Sequence, residues 1–217
     1  MISNIDRIIR TLQEDTETFT IPSVTSIAGH STPFRILVST LLSLRTKDEV
    51  TLEVSLKLFR IADTPEKIIS LPVDRLEKLI FPTGFYHNKA KTLKHVSSVI
   101  KEKYDGKVPH TLEELTSIKG VGRKTANLVL IKAFDRYGIC VDTHVHRICN
   151  RLGIVHTDNA DKTELALRET LPKKYWKIIN DLMVKYGQNI CRPVNPHCKE
   201  CRLSDICLYF SQKKSPQ

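Results

Sequence analysis

Four cysteines crowd the C-terminal end of the chain: Cys191, Cys198, Cys201 and Cys207, spaced C-x6-C-x2-C-x5-C. Thiolates are soft, strongly coordinating ligands, and four in one short segment point to a metal site. The spacing alone leaves the metal open. Zinc sites typically pair cysteines at short spacing twice over, and here only Cys198 and Cys201 fit. Iron–sulfur clusters also take four thiolates, at varied spacing. Cys140 and Cys149 stand apart, flanked by Ile139, Val141 and Ile148, and read as small buried hydrophobes.

A second constellation is Gly120-Val121-Gly122-Arg123-Lys124-Thr125-Ala126. Two glycines one residue apart permit a hairpin whose backbone comes close to a ligand. A helix follows, with Ala126, Val129, Leu130 and Ala133 on its apolar face. The free N–H groups of a helix start attract anions such as phosphate. Lys124 is either an exposed phosphate contact or a nucleophile. An amine attacks only when neutral, and a helix start and an adjacent cation such as Arg123 both disfavour an ammonium.

The third is Val141-Asp142-Thr143-His144-Val145-His146-Arg147. Asp142 precedes the helical run Val145, Ile148, Leu152 and is expected as its N-cap. It also aims a carboxylate from a helix start, where it can stabilise a cationic sugar or move a proton. His144 and His146 do not share a helix face, so they are expected in phosphate or local contacts rather than as ligands of one ion.

The elements that must hold these residues are helical. No stretch alternates apolar and polar residues as a strand would. Leu93, Val96, Val99 and Ile100 make one helical stripe, and Tyr175, Ile178, Ile179, Leu182, Met183 and Tyr186 another. The uncharged run Ile36–Leu44 suits a central buried helix, and Asp48 is placed to cap the next one. Prolines at 22, 33, 65, 72, 82, 109 and 172 punctuate the helices. Leu79–Tyr86 and Leu115–Gly122 echo one another about 36 positions apart, each as helix, glycine turn, helix.

A chain of 217 residues with 41% hydrophobic content can bury a sizeable core. Its formal charge of +10 suits a polyanion, nucleic acid first and an anionic membrane second. The N-terminus lacks the pattern of a signal peptide, and no apolar run approaches a bilayer span. These features predict an intracellular protein with reduced thiols.

With these segments in view, the chain resembles the endonuclease III group of the helix-hairpin-helix DNA glycosylases. Gly120 to Asn127 matches the family hairpin, Val141 to Val145 its Asp-bearing segment, the four C-terminal cysteines its [4Fe–4S] loop, and Leu41-Leu42-Ser43 with Thr46-Lys47-Asp48 a DNA-facing segment. The resemblance covers roughly residues 5 to 210. It implies an all-α fold of two helical domains with a DNA-binding cleft between them. Their expected bounds are 1–24 (an N-terminal helix packing with the cluster domain), 25–136 (the hairpin domain) and 137–217 (the cluster domain). It implies a bifunctional glycosylase and abasic-site lyase acting on oxidised pyrimidines in double-stranded DNA. Lys124 would be the Schiff-base nucleophile and Asp142 the acid eighteen positions on. Cys191, Cys198, Cys201 and Cys207 would hold a structural [4Fe–4S] cluster. Gly120, Val121, Gly122, Arg123 and His144 would meet DNA, with Arg192, His197, Lys199 and Arg202 of the cluster loop facing phosphate. A monomer without a membrane partner is expected, cytoplasmic and nucleoid-associated in a bacterial or archaeal cell.

Two departures from the family pattern stand out. Lys119 replaces a proline before the first glycine. Arg45 replaces a glutamine that enters the duplex where the damaged base has left, which bears on the reading of the opposite base. Phe85, after Gly84, lies where the family has an apolar wedge; the alternatives are a core aromatic for Phe85 and a phosphate contact for Arg45. Rival readings are a monofunctional glycosylase, which generally lacks a lysine at position 124, and a DNA-binding module without catalysis.

Overall fold

The computed structural model describes residues 4–29 and 31–214, and among these there are helices and no β-strand. The first three residues, and the last three of the polar tail Ser211–Gln217, lie outside the described residues. The helices are α1 (Ile5–Asp15), α2 (Ser23–Ala28), α3 (Pro33–Ser43), α4 (Asp48–Phe59), α5 (Pro65–Ser70), α6 (Val73–Ile80), α7 (Tyr86–Tyr104), α8 (Leu112–Ser117), α9 (Arg123–Phe134), α10 (Thr143–Arg151), α11 (Ala160–Thr170), α12 (Ile179–Asn189) and α13 (Leu208–Lys214), with a 3₁₀ turn at Lys173–Tyr175. The all-α class expected from the spacing is the class observed. No helix among the described residues is long and apolar enough to cross a membrane.

The chain forms two compact units, residues 22–136, and residues 1–21 together with 137–217. In the first, α3 is the central helix. Thr32 accepts from the Arg35 amide at 3.3 Å, and Pro33 fills the first turn, where its missing N–H is no loss. Phe34, Leu37, Val38, Leu41 and Leu42 are buried against α4, α7 and α9. Burying each such side chain contributes about 1.5–3 kcal/mol before chain entropy is counted. Thr40 is also buried, and its hydroxyl donates back to the Ile36 carbonyl at 2.8 Å, so no polar atom is left stranded there.

The second unit joins the N-terminal helix to the C-terminal part of the chain. Ile5, Ile8, Ile9 and Leu12 make one face of α1, and all four are buried in a core with Val145, Ile148, Leu167, Ile179, Met183 and Tyr186. α1 packs on α12, and α10 on α11 and α12. Cys140 and Cys149 are fully buried, and the Cys149 thiol lies 3.6 Å from the Met183 sulfur.

Three local expectations change. Asp48 does not cap α4; Lys47 holds that position without a side-chain bond, and the Asp48 carboxylate accepts instead from the Ser23 hydroxyl at 2.8 Å. The stripe from Tyr175 to Tyr186 is not one helix. Pro172 opens the 3₁₀ turn, Trp176 folds back to donate to the Leu171 carbonyl at 2.9 Å, and α12 begins at Ile179. Tyr175 thereby donates to Asp6. The two echoing segments are both helical hairpins, but their turns differ. In one the left-handed residue is Phe85, after a cis Phe81–Pro82 bond, and in the other it is Gly120.

Candidate functional site

The hairpin between α8 and α9 is anchored from beneath. Leu115, Ile118 and Val121 are buried, and the Val121 amide donates to the Ile118 carbonyl at 2.9 Å. Val121 can therefore offer a ligand only its backbone. Gly120 is glycine for two reasons: its φ is 99°, and a Cβ would lie 2.6 Å from Cγ2 of Thr92. Gly122 differs. Its φ is −84°, and a Cβ there would meet nothing within 4 Å, so the space beside it is open. It is the N-cap of α9 and supplies no side-chain bond to the helix's first turn, the end of a helix that favours an anion.

Lys124 is the second residue of α9 and half-buried. Thr125 and Ala126 beside it are buried, which fixes the backbone that carries it. Its amine has no hydrogen-bond or ion-pair partner among the described residues. Arg123, also half-buried, opens the helix, and its carbonyl accepts from the Asn127 side chain at 3.0 Å.

In the other unit Asp142 caps α10. Its Oδ1 accepts from the amides of His144 and Val145, both at 2.9 Å. Buried Val141 and Val145 hold the half-buried carboxylate at the helix start. His144 is in a local contact. Arg147 Nη2 donates to its Nδ1 at 3.1 Å, which assigns the ring proton to Nε2. The same nitrogen reaches the carbonyls of Gly187 at 3.3 Å and Cys191 at 2.8 Å. A Cβ on Gly187 would come 2.3 Å from His144 Nδ1, so α12 and α10 meet there only because residue 187 is glycine. His146 points elsewhere, its Nδ1 2.7 Å from the Thr163 hydroxyl.

Cys191, Cys198, Cys201 and Cys207 are all free thiols and line one cavity, with Leu152 and Ile190 on its apolar side. No three His, Cys, Asp or Glu side chains among the described residues converge as they would on a single ion. Four soft donors lining one cavity are the donor set that an iron–sulfur cluster takes. Burial holds the thiols of Cys201 and Cys207 above their ordinary range, so a positively charged occupant is what would favour their thiolate forms. Tyr186 lies 3.1 Å from the Cys201 sulfur through its hydroxyl. Arg151 donates to the Cys191 sulfur at 3.4 Å and to the carbonyls of Arg192 and Pro193 at 2.8 and 3.0 Å. Arg202 is not turned to an outside phosphate: it pairs with Glu14 at 2.9 Å and Asp15 at 2.8 Å, tying the loop to α1. Arg147, Arg151 and Gly187 escaped the sequence reading. The i, i+4 spacing of the two arginines on α10 was the available signal.

Arg45 and Phe85 come together at one surface of the first unit. Both are left-handed, with φ of 52° and 58°, a conformation costing roughly 1–2 kcal/mol for a residue with a Cβ. Phe85 is 60% exposed, which excludes the core-aromatic alternative, and the Arg45 guanidinium lies 5.2 Å from its ring centroid.

Comparison with known proteins places these features in a family. Residues 38–173 match the profile described as HhH-GPD superfamily base excision DNA repair protein. The chain is 46% identical over 181 residues to Endonuclease III of Thermotoga maritima, covering 83% of this chain and 85% of the relative. It is similar to a solved non-covalent Endonuclease III–DNA complex, with a TM-score of 0.89 and 31% identity across 99% of both chains. A trapped Endonuclease III–DNA covalent intermediate superposes with a TM-score of 0.87 and 32% identity, covering 99% of this chain and 100% of that one.

Proposed function

We propose that this chain, which belongs to the HhH-GPD superfamily of base excision DNA repair proteins, removes oxidised pyrimidines from duplex DNA and cuts the strand 3′ to the lesion through a lysine Schiff base. Its enzyme class is DNA N-glycosylase with lyase activity at abasic sites. The observation that carries the finer reading is the Lys124 amine, which has no partner among the described residues, in the first turn of α9 beside the open space at Gly122.

The damaged nucleotide leaves the stack, because its sugar carbon cannot be reached inside a duplex. The nitrogen lone pair of Lys124 attacks C1′; the new N–C bond forms as the glycosidic bond breaks, and the base leaves with that electron pair and takes up a proton. Opening of the sugar ring gives the iminium. Loss of the C2′ proton then sends electrons through the iminium system and expels the 3′ phosphate. Asp142 supports positive charge on the sugar and assists proton transfer. The amides at the start of α9, with Lys119 and Arg123, hold phosphate. Arg45 and Phe85 enter the space the nucleotide vacates. The thiolates of Cys191, Cys198, Cys201 and Cys207 would hold a [4Fe–4S] cluster, which would cross-link a loop with little core of its own. The enzyme acts as a monomer on damaged or abasic double-stranded DNA, at the nucleoid.

The test is borohydride added during turnover on a thymine-glycol duplex. A covalent protein–DNA adduct is expected, and Lys124→Gln removes both adduct and strand cleavage while duplex affinity stays within about threefold. A full-strength adduct in that variant would show the nucleophile to be another group.

A further inference from the structure

Lys89 is 8% exposed and has no carboxylate partner among the described residues. Burial alone pushes its ammonium down to about 8. A methionine would fill such a position without the desolvation; what the ammonium adds is the bonds it makes. Its Nζ donates to the Leu42 carbonyl at 2.7 Å, at the negative end of α3, and to the Thr46 hydroxyl at 2.7 Å. Its backbone amide donates to the Phe85 carbonyl at 3.0 Å. One residue thus bonds to the segments on both sides of Arg45 and to Phe85 itself.

The link is doubled through Thr46. That hydroxyl also accepts from the Gly84 amide at 3.1 Å and lies 3.3 Å from the Leu44 carbonyl, to which it donates. A Cβ on Gly84 would sit 2.4 Å from the Arg45 carbonyl oxygen, so the two turns touch backbone to backbone. Residues 44–46 and 84–85, far apart in sequence, are joined by these bonds into a single element. Its two exposed tips are the Arg45 guanidinium and the Phe85 ring, stacked on each other.

We propose that Lys89 is a positioning residue that locks the Arg45 turn to the Gly84–Phe85 turn, so that both side chains are presented to the duplex as one preformed wedge. The proposal deepens the reading above that Arg45 and Phe85 enter the stack, and rests on it. A preformed wedge loses little side-chain freedom on insertion, whereas two independent loops would have to be ordered by the DNA. The buried lysine acts without meeting DNA.

The test uses the full chain and a duplex carrying a tetrahydrofuran abasic analogue opposite 2-aminopurine, whose fluorescence rises when the orphaned base is unstacked. At saturating protein, Lys89→Met and Thr46→Val are expected to lower that rise at least about threefold, and Thr46→Ser to keep it. Borohydride trapping on a single-stranded abasic oligonucleotide, which offers no stack to enter, should stay within about twofold of the parent for Lys89→Met. A folded Lys89→Met protein with the full fluorescence rise overturns the proposal. So does an equal loss in both assays, which would make Lys89 a general structural support. If Lys89→Met does not fold, Thr46→Val decides on the same terms. Arg45→Ala and Phe85→Ala separate the two levels. If neither lowers the signal, the insertion reading fails and the positioning role with it; if they lower it while Lys89→Met and Thr46→Val do not, only the positioning role falls.

Discussion

Asp142 carries two duties that substitution can separate. As a cap, its Oδ1 accepts from the His144 and Val145 amides at 2.9 Å each. As the proposed acid it contributes charge. Asp142→Ala removes both, and loss of an N-cap costs about 1 kcal/mol, within a range of roughly 0.5–2. For a chain of this size that lowers the melting temperature by about 2–4 °C. Asp142→Asn keeps an amide oxygen able to accept the same two bonds and loses only the charge at the helix start, about 0.3–1 kcal/mol. Asparagine should therefore melt close to the parent. Both substitutions should slow strand cleavage about 10²- to 10⁴-fold, the usual range for a positioned acid or base. Thermal melts, with single-turnover cleavage of a uracil-free abasic duplex well below melting, give the two readouts. An asparagine variant that cuts at the parent rate would refute the charge role. Rate losses that track stability losses across the pair would reduce Asp142 to a cap.

Replacing any of Cys191, Cys198, Cys201 or Cys207 by serine should abolish yellow-brown colour and lower soluble yield, whereas Cys140→Ser and Cys149→Ser should keep about four irons per chain; a colourless parent with stoichiometric zinc contradicts this. Arg45→Gln should change the ratio of single-turnover excision opposite guanine to that opposite adenine, because a guanidinium has only donors and guanine offers O6 and N7; a uniform loss over all four opposite bases would leave Arg45 as a backbone clamp. Lys89 titrates at about 8 in the folded chain and at about 10.4 when unfolded, so the folded state holds fewer protons between those values and stability rises with pH there. Urea melts should show the parent gaining on Lys89→Met by up to about 3 kcal/mol from pH 8 to 10.5, with a constant gap below pH 8; a gap that does not move with pH would mean the ammonium is not buried.

What the sequence revealed was local, and what it concealed was non-local. Asp142 and Asp48 look alike on paper, each an acid at the start of an apolar helical run. Asp142 caps because its donors are the amides just after it in the chain, whereas Asp48 is drawn to Ser23, a hydroxyl on another helix that no local pattern announces. Lys89, in Tyr86-His87-Asn88-Lys89-Ala90, reads as one more solvated lysine; its burial follows from α7 crossing the end of α3. Gly120 was legible as a turn glycine from its neighbours. Gly187 was not, since its reason is the imidazole and guanidinium packed on it from α10. The break before α12 was signalled by Pro172, but the apolar stripe running through it masked the signal.

The charge of +10 was the first pointer to a polyanion, yet the structure divides those cations by task. Arg7 and Arg202 pair with Asp205, Glu14 and Asp15, and Arg147 and Arg151 donate to carbonyls of the cysteine loop. They serve the architecture of the unit that carries the thiols. Exposed ion pairs such as these contribute little each, but Arg202 reaches two carboxylates at once and joins a loop to a helix. Around the hairpin the arrangement is different. Lys119 is exposed, Lys124 has no partner among the described residues, and α9 begins without an acidic residue in its first turn. Positive potential concentrated where the backbone is open to approach is what phosphate recognition requires, and net charge alone cannot distinguish it from cations already neutralised inside the fold.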